Sequence, residues 1–302
     1  MTACLEYQRM TLPQLKELDR SSTVFFISVS PIEVHGPHLP TGTDVTVSLE
    51  LQRRYIDELS RRHPEMTMVT LPPLYVGSDA LPVKGSLSVP AVALRTVLLA
   101  YAKGLAAQGF KYLFIADNHG GPRHQMAFEW ASRKVWKKYR FYMINPFLIE
   151  FRMMCHQDAA FLSETGLGPG TCGDDADAHA GTNETSLMLV ADPEAVGNYK
   201  ETPPSLPQKA KLRLVSGMVG ALGGSRVKRD MEHLGATLGW VGDRNMMPYM
   251  GDPSRANAEA GEAMLKARVN IALNLFEKAL AGERPDTAPM LWWLSPMMRL
   301  PE

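Results

Sequence analysis

The stretch Glu33-Val34-His35-Gly36-Pro37-His38-Leu39-Pro40-Thr41-Gly42-Thr43-Asp44 places two carboxylates and two imidazoles within twelve residues. Its glycines and prolines break any regular helix or central strand. Carboxylate and imidazole are the ligands that divalent zinc, manganese or iron accept. Two further clusters carry the same residue types: Asp117-Asn118-His119-Gly120-Gly121 and His179-Ala180-Gly181-Thr182-Asn183-Glu184. The candidates are therefore Glu33, His35, Asp44, His119, His179 and Glu184. A single histidine is more often structural than functional. Here the signal is three separate clusters, each beside a glycine that lets backbone approach closely. His63, His156 and His233 sit in polar surroundings and read as surface residues. His38 reads as a residue that orients the loop or a ligand. His124 divides evenly between surface and interior, and Asp117 reads as a cap on the following turn. Asp174, Asp175 and Asp177 form a solvated acidic run, with one of them an alternative for the pocket mouth.

The elements around these clusters follow from hydrophobic spacing. Thr23 to Val29 is β-branched and aromatic and predicts a buried strand, as do Met66 to Leu71, Lys111 to Asp117 and Arg140 to Ile144. Helical spacing covers Asp44 to about Arg62, Pro90 to Ala107, Met126 to Lys138 and about Ser254 to Ala281. Thr11 with Pro13 and Gln14 marks another helix start. Strands alternating with helices predict an α/β fold with a mainly parallel sheet and helices on both faces. Ligands bind such sheets beyond the carboxyl ends of the strands. Two of the histidine-bearing loops follow strands at that end, so they should meet there. Residues 198–250 read as a long, mostly irregular excursion with a glycine-rich patch at Gly220 to Gly224. The tail Met290-Leu291-Trp292-Trp293-Leu294 is apolar and has no obvious core partner.

Composition narrows the function classes. The 302 residues carry a formal net charge of zero, so bulk electrostatics gives no reason to expect a nucleic-acid or acidic-membrane partner. Cys4, Cys155 and Cys172 are widely spaced, which predicts neither a disulfide framework nor a thiolate zinc knuckle. The first residues lack a basic region followed by an apolar run, and the longest apolar runs are too short to span a bilayer. The expected compartment is the cytoplasm.

Glu33 to Pro40 followed by Thr43-Asp44 resembles the signature of the creatininase (creatinine amidohydrolase) family. Asp117 to Gly121 resembles that family's second motif, usually Asn-Gly-His-Gly-Gly-Asn. His179-Ala180-Gly181 through Glu184-Thr185-Ser186-Leu187 resembles its third, and Gly251-Asp252-Pro253 matches a common C-terminal feature. The motifs occur in order over about residues 23–270. The resemblance implies a three-layer αβα sandwich with a mainly parallel central sheet and a single creatininase-like domain over 1–302. That domain would hold an insertion at about 198–250 and a C-terminal helix plus apolar tail at about 254–302. It also implies two divalent metal ions per chain, of zinc, manganese or iron. Carried over, Glu33 and His119 would bind one ion, His35 the other, and Asp44 would bridge. In creatininase itself a glutamate two residues after the second-motif histidine completes the second ion. That position is Gly121 here, so Glu184 is the substitute. His179 matches the general acid for a leaving nitrogen and, with Glu184, makes the catalytic pair.

The family's substrate loop usually reads Gly-x-Ser-x-x-His, then Phe-Pro-Gly-Thr. Here Gly77 to Ser86 keeps Gly77, Ser78 and Gly85 but lacks the histidine. Creatinine is therefore not the expected substrate. Ser78, Lys84 and Asp175 are the expected substrate-binding residues. Arg226, Lys228, Arg229 and Arg244, with Trp240 and Tyr249 as an aromatic wall, are candidates to cover the site. The leading expectation is a metal-dependent amidohydrolase that cleaves a C–N bond in a small cyclic amide, a formamide or a related amide. A lactone hydrolase, a peptide-trimming metalloprotease and a non-catalytic scaffold of the same fold are the alternatives. The resemblance and the apolar tail together imply a homo-oligomer, commonly a hexamer in relatives.

Overall fold

The computed structural model describes residues 4–156, 158–168, 177–205 and 213–295, with 213–223 as backbone only. Asp174, Asp175 and Cys172 lie outside the described residues. Six strands form the sheet: β1 (Leu5–Glu6), β2 (Thr23–Ser30), β3 (Thr67–Thr70), β4 (Leu74–Tyr75), β5 (Tyr112–Ala116) and β6 (Tyr142–Ile144). Their order is β1-β3-β2-β5-β6, every pair is parallel, and β4 joins β2 at its far end. β2 is central, buried along its whole length, and alternates between two cores. Val24 and Phe26 face one, Phe25 and Ile27 the other, as the two-residue strand period requires.

Helices cover both faces. On the Phe26 side lie α2 (Thr43–Arg62), α7 (Thr182–Ala191) and α9 (Ala258–Leu280). On the Phe25 side lie α3 (Ala91–Ala107) and α4 (Pro122–Tyr139). This is the expected mainly parallel α/β sandwich. Shorter helices complete it: α1 (Leu12–Glu17), whose Thr11 and Gln14 form a capping box, α5 (Phe147–Cys155) and α6 (Ala159–Thr165). Among the described residues no helix is long and apolar enough to cross a membrane.

Two sequence expectations are corrected. The stretch read as mostly irregular contains a long helix, α8 (Arg213–Val241), bent at Gly224, where φ is 79°. Its later half buries Asp230, His233 and Trp240. The apolar tail does have a partner. Met290 and Leu291 are buried against Met126, Phe147, Phe151 and Cys155 of the same chain. That packing removes the tail as an argument for a second copy, although Trp293 remains 39% exposed.

Candidate metal centre

Three segments converge beyond the carboxyl ends of β2 and β5. The loop after β2 carries Glu33 and His35 and folds back on itself. Glu33 N donates to Thr41 O at 2.9 Å, His35 bridges to Leu39, and Gly36 takes the left-handed turn between them at φ 69°. Asp44 and Glu184 sit in the first turns of α2 and α7, where the helix N-terminus favours negative charge. His119 follows β5. The neighbouring Gly121 must be glycine, because a Cβ there would lie 2.6 Å from His119 Nε2 and 2.7 Å from Ser78 O.

Each of the three histidines is pinned by a backbone carbonyl. His35 Nδ1 donates to Glu33 O at 2.9 Å, His119 Nε2 to Ser78 O at 3.0 Å, and His179 Nε2 to Val34 O at 2.8 Å. A carbonyl only accepts, so a proton sits on that nitrogen and the opposite one is left to face its neighbours with a lone pair or a second proton. The free nitrogens face carboxylates. His35 Nε2 lies 3.5 Å from both Asp44 Oδ1 and Glu184 Oε2. His119 Nδ1 lies 2.9 Å from Glu33 Oε2 and 3.3 Å from Asp44 Oδ2, and His179 Nδ1 lies 4.0 Å from Glu184 Oε2. Lone pairs turned on carboxylate oxygens repel unless a proton or a cation stands between them. Glu33 Oε2, His35 Nε2 and Asp44 Oδ2 are buried and have no hydrogen-bond partner. Ligand atoms of Glu33, Asp44 and His119 lie within 4.8 Å of one another, as do those of His35, Asp44 and Glu184. Glu33, His35 and His179 form a third such group. This donor set fits divalent metal, and the carboxylate and imidazole donors without thiolate suit zinc, manganese or iron.

The electrostatics of the ion-free cluster show the same strain. Burial disfavours charge on every member. On His35 it is outweighed by Asp44 and Glu184, which hold the imidazolium up to about 10. On His119 it is outweighed mainly by Glu33 and Asp44, so that ring too is held above its ordinary value. Glu33 and Asp44 are lowered despite burial, chiefly by His119 and His179 for the first and His35 and His119 for the second. Burial dominates at Glu184, pushed up to about 7, and at His179, whose imidazole is pushed down.

One residue escaped the sequence reading. Arg268 of α9 is fully buried. Its Nε donates to Glu150 Oε2 at 2.7 Å, its Nη1 to Asn118 Oδ1 at 2.7 Å and its Nη2 to Asp117 O at 3.0 Å. Asn118 Nδ2 in turn donates to Asp44 Oδ1 and Glu184 Oε1, each at 3.1 Å. The signal was present: Arg268 interrupts the apolar stripe Met264, Leu265, Val269, Ala272 of α9.

A cavity of about 480 Å³ opens onto the cluster. Glu33, His119, His179 and Glu184 form its polar floor. Its walls are mostly apolar: Leu81, Phe151, Leu234, Trp240, Val241, Met290 and Leu294. Trp240 packs beside the His179 ring, with centroids 5.6 Å apart. Other expectations are redistributed. Ser78 is buried and serves His119 through its carbonyl, outside the cavity lining. Lys84 is exposed and also outside that lining. Arg229 donates to His156 O, and Tyr249 to Pro203 O, so neither forms the wall. His38 reaches Thr185 of α7 at 3.0 Å rather than the ligand cluster. His124 is interior, 3.2 Å from Asp117 Oδ2, and Asp117 is a buried acceptor rather than a simple cap. His233 and His156 are not surface residues. His233 is buried and lines the cavity, and the His156 side chain is 3.0 Å from the buried Asp230.

The family model described as creatinine amidohydrolase matches residues 8–276. Two curated relatives are mycofactocin precursor peptide peptidases. That of Mycobacterium ulcerans is 29% identical over 177 residues, covering 56% of this chain and 59% of its own. The match thus spans under two thirds of that relative's length. That of Mycolicibacterium smegmatis is 24% identical over 261 residues, covering 84% and 85%. A Bacteroides fragilis structure assigned as a creatinine amidohydrolase superposes with a TM-score of 0.64 at 22% identity, covering 93% of this chain and 98% of that one. A structure described as a manganese creatininase gives a TM-score of 0.59 at 16% identity, covering 91% and 99%. A creatininase variant described as the Zn–Zn type gives 0.59 at 16%, covering 91% and 98%. At these identities the structural likeness carries the fold.

Proposed function

The chain belongs to the creatininase family of hydrolases, and from that premise we propose that it is a two-ion metallohydrolase that cleaves a peptide C–N bond. The observation that carries the reading is one cluster of three carbonyl-pinned imidazoles and three carboxylates, of which Glu33, His119, His179 and Glu184 floor a cavity with mostly apolar walls. Its 480 Å³ falls in the range of roughly 300–1,000 Å³ that takes drug-sized ligands. The peptidase names of the curated relatives support a peptide over a small cyclic amide.

In this reading Glu33, Asp44 and His119 hold one ion, and His35, Asp44 and Glu184 the other. When bound, such a pair supplies Lewis-acid polarisation of a carbonyl and a water acidic enough to ionise near neutral pH. His179, whose Nε2–H is held by Val34 O, would take up at Nδ1 the proton that the attacking water gives up and pass it to the leaving nitrogen. Glu184 accepts from Ala180 N at 2.6 Å, which fixes the carboxylate beside that ring. Leu81 N donates to Glu33 Oε1 at 2.5 Å, so the loop that walls the cavity also orients a ligand. Trp240 and Leu81 are apolar walls beside the polar floor.

The test is direct. Protein loaded with zinc or manganese is incubated with a panel of apolar peptides, N-formyl compounds, creatinine and a lactone, and products are read by mass spectrometry. Release of residues from peptides is expected. Turnover of creatinine, formamide or lactone without any peptide cleavage overturns the peptide reading in favour of those alternatives. No turnover of anything by a fully loaded chain favours the scaffold. A homo-oligomer remains part of the proposal on family grounds, and a monomeric mass by light scattering would remove it; a cytoplasmic place remains a proposal from the sequence alone.

A further inference from the structure

Arg268 is a donor-only group, so the oxygen of Asn118 must face it and the Asn118 amide must face the opposite way. Its two N–H groups then go one each to Asp44 and Glu184. These carboxylates come from different elements, α2 and α7, with no covalent reason to stand at a fixed separation. Asn118 joins them. It bonds Asp44 Oδ1, which also lies 3.5 Å from His35 Nε2, and Glu184 Oε1, which leaves Asp44 Oδ2 toward His119 and Glu184 Oε2 toward His35. We propose that Arg268, acting through Asn118, is the positioning residue that sets the geometry of the His35–Asp44–Glu184 ion site.

A purely structural role explains Arg268 poorly. A buried ion pair such as Arg268–Glu150 is about neutral for stability compared with apolar side chains of the same size. Only one of its three donated bonds goes to Glu150. The others go to the residue that holds the carboxylates and to the carbonyl of Asp117 just before it. The consequence is asymmetric. Asn118 bonds two ligands of the second ion, Asp44 and Glu184, but only the shared Asp44 of the first; neither Glu33 nor the His119 ring bonds to its side chain among the described hydrogen bonds.

The inference rests on the two-ion reading, and the experiment separates the two. Wild type, Asn118→Ala and the double variant Glu150→Met/Arg268→Met are dialysed against a series of free zinc concentrations. Ions per chain are counted by plasma mass spectrometry, and circular dichroism checks folding. Two ions on wild type are expected. Both variants should bind the second ion at least about tenfold more weakly, as loss of a ligand-orienting partner typically does, and the first, which shares only Asp44 with it, should weaken less. Wild-type affinity for both ions in folded variants overturns the inference, and so does equal weakening of both ions. Fewer than two ions on wild type overturns the two-ion reading itself and this inference with it. If the double variant does not fold, Asn118→Ala decides alone.

Discussion

His119 directs Nδ1 at Glu33 Oε2 from 2.9 Å while its Nε2 donates to the carbonyl of Ser78. The ring is thus oriented by the protein before any ion arrives, and its free nitrogen meets an acceptor that gives it nothing back. In the ion-free chain a proton relieves this repulsion; in the loaded chain an ion does. The two are therefore exchangeable.

Ion uptake should release protons. Burial works against the charge on His35, but Asp44 and Glu184 hold its imidazolium up to about 10, above the ordinary 6.5. Near neutral pH the ion-free chain carries that proton and an incoming ion displaces it. The sign for stability follows. A raised imidazole pKa stabilises the ion-free fold fully below about 6.5 and is lost as pH rises through about 10. Titration calorimetry in two buffers of different ionisation enthalpy should show net proton release on zinc binding at neutral pH. The melting temperature of ion-free protein should fall across that alkaline window while loaded protein changes less. Buffer-independent heats would refute the exchange.

His179→Ala should separate chemistry from ion binding. Burial pushes this imidazole down, so it is neutral at neutral pH and can collect a proton before giving it up. Loss of a positioned acid typically costs 10²- to 10⁴-fold. A drop of about that size in kcat, with ion content unchanged, is the expected outcome on whichever substrate the panel identifies. Full activity in a folded, loaded variant would remove His179 from the reaction.

Trp240 and Arg229 were equal candidates for covering the site when only residue types were visible. The structure separates them. Trp240 is buried in the wall, with Nε1 donating to Met247 O at 2.9 Å, whereas Arg229 is exposed and bonds to the His156 carbonyl. Trp240→Ala should raise KM about tenfold or more by removing a large apolar contact. Arg229→Ala should leave KM within about twofold, since surface substitutions rarely matter. A reversed pattern in steady-state kinetics would contradict the cavity as described.

The cluster of Glu33, His35, Asp44, His119 and Glu184 was legible because its members sit in short, kinked segments beside buried elements, and parallel sheets bring such loops together at one end. Strand and helix positions were legible for the same local reason. β2 appears within a residue of its hydrophobic run. What stayed hidden depends on distant pairing. Arg268 finds Asn118 across 150 residues and Glu150 across 118. His233 looks polar in sequence and is buried because α8 lays one face over the cavity. The tail looks unpartnered because Met126, Phe147 and Phe151, which cover Met290 and Leu291, lie far upstream. Gly220 to Gly224 suggested irregular chain, yet the backbone leaves helical angles only at Gly224, and beyond that bend the helix continues to Val241.

Asp117 should govern acid stability. Its buried carboxylate accepts from Ser30 Oγ at 2.9 Å, His119 N at 3.0 Å, Asn145 Nδ2 at 2.9 Å and His124 Nε2 at 3.2 Å. Burial alone would raise its pKa, but the His124 imidazole and these donors overcome it and leave the group lowered. A depressed carboxylate pKa stabilises the fold above the unfolded value of about 3.9, and that contribution is lost as pH falls through the folded value. Asp117→Asn removes the charge, places a donor against donors and loosens the His119 backbone. A loss of about 3 kcal/mol at neutral pH is expected, the scale for breaking a buried charged network. Urea unfolding at pH 7 and below about pH 3 should show the variant weaker at the first and the gap narrowing at the second. Equal midpoints at pH 7 would mean that the four donors are satisfied without the charge, and that Asp117 caps the turn and does no more.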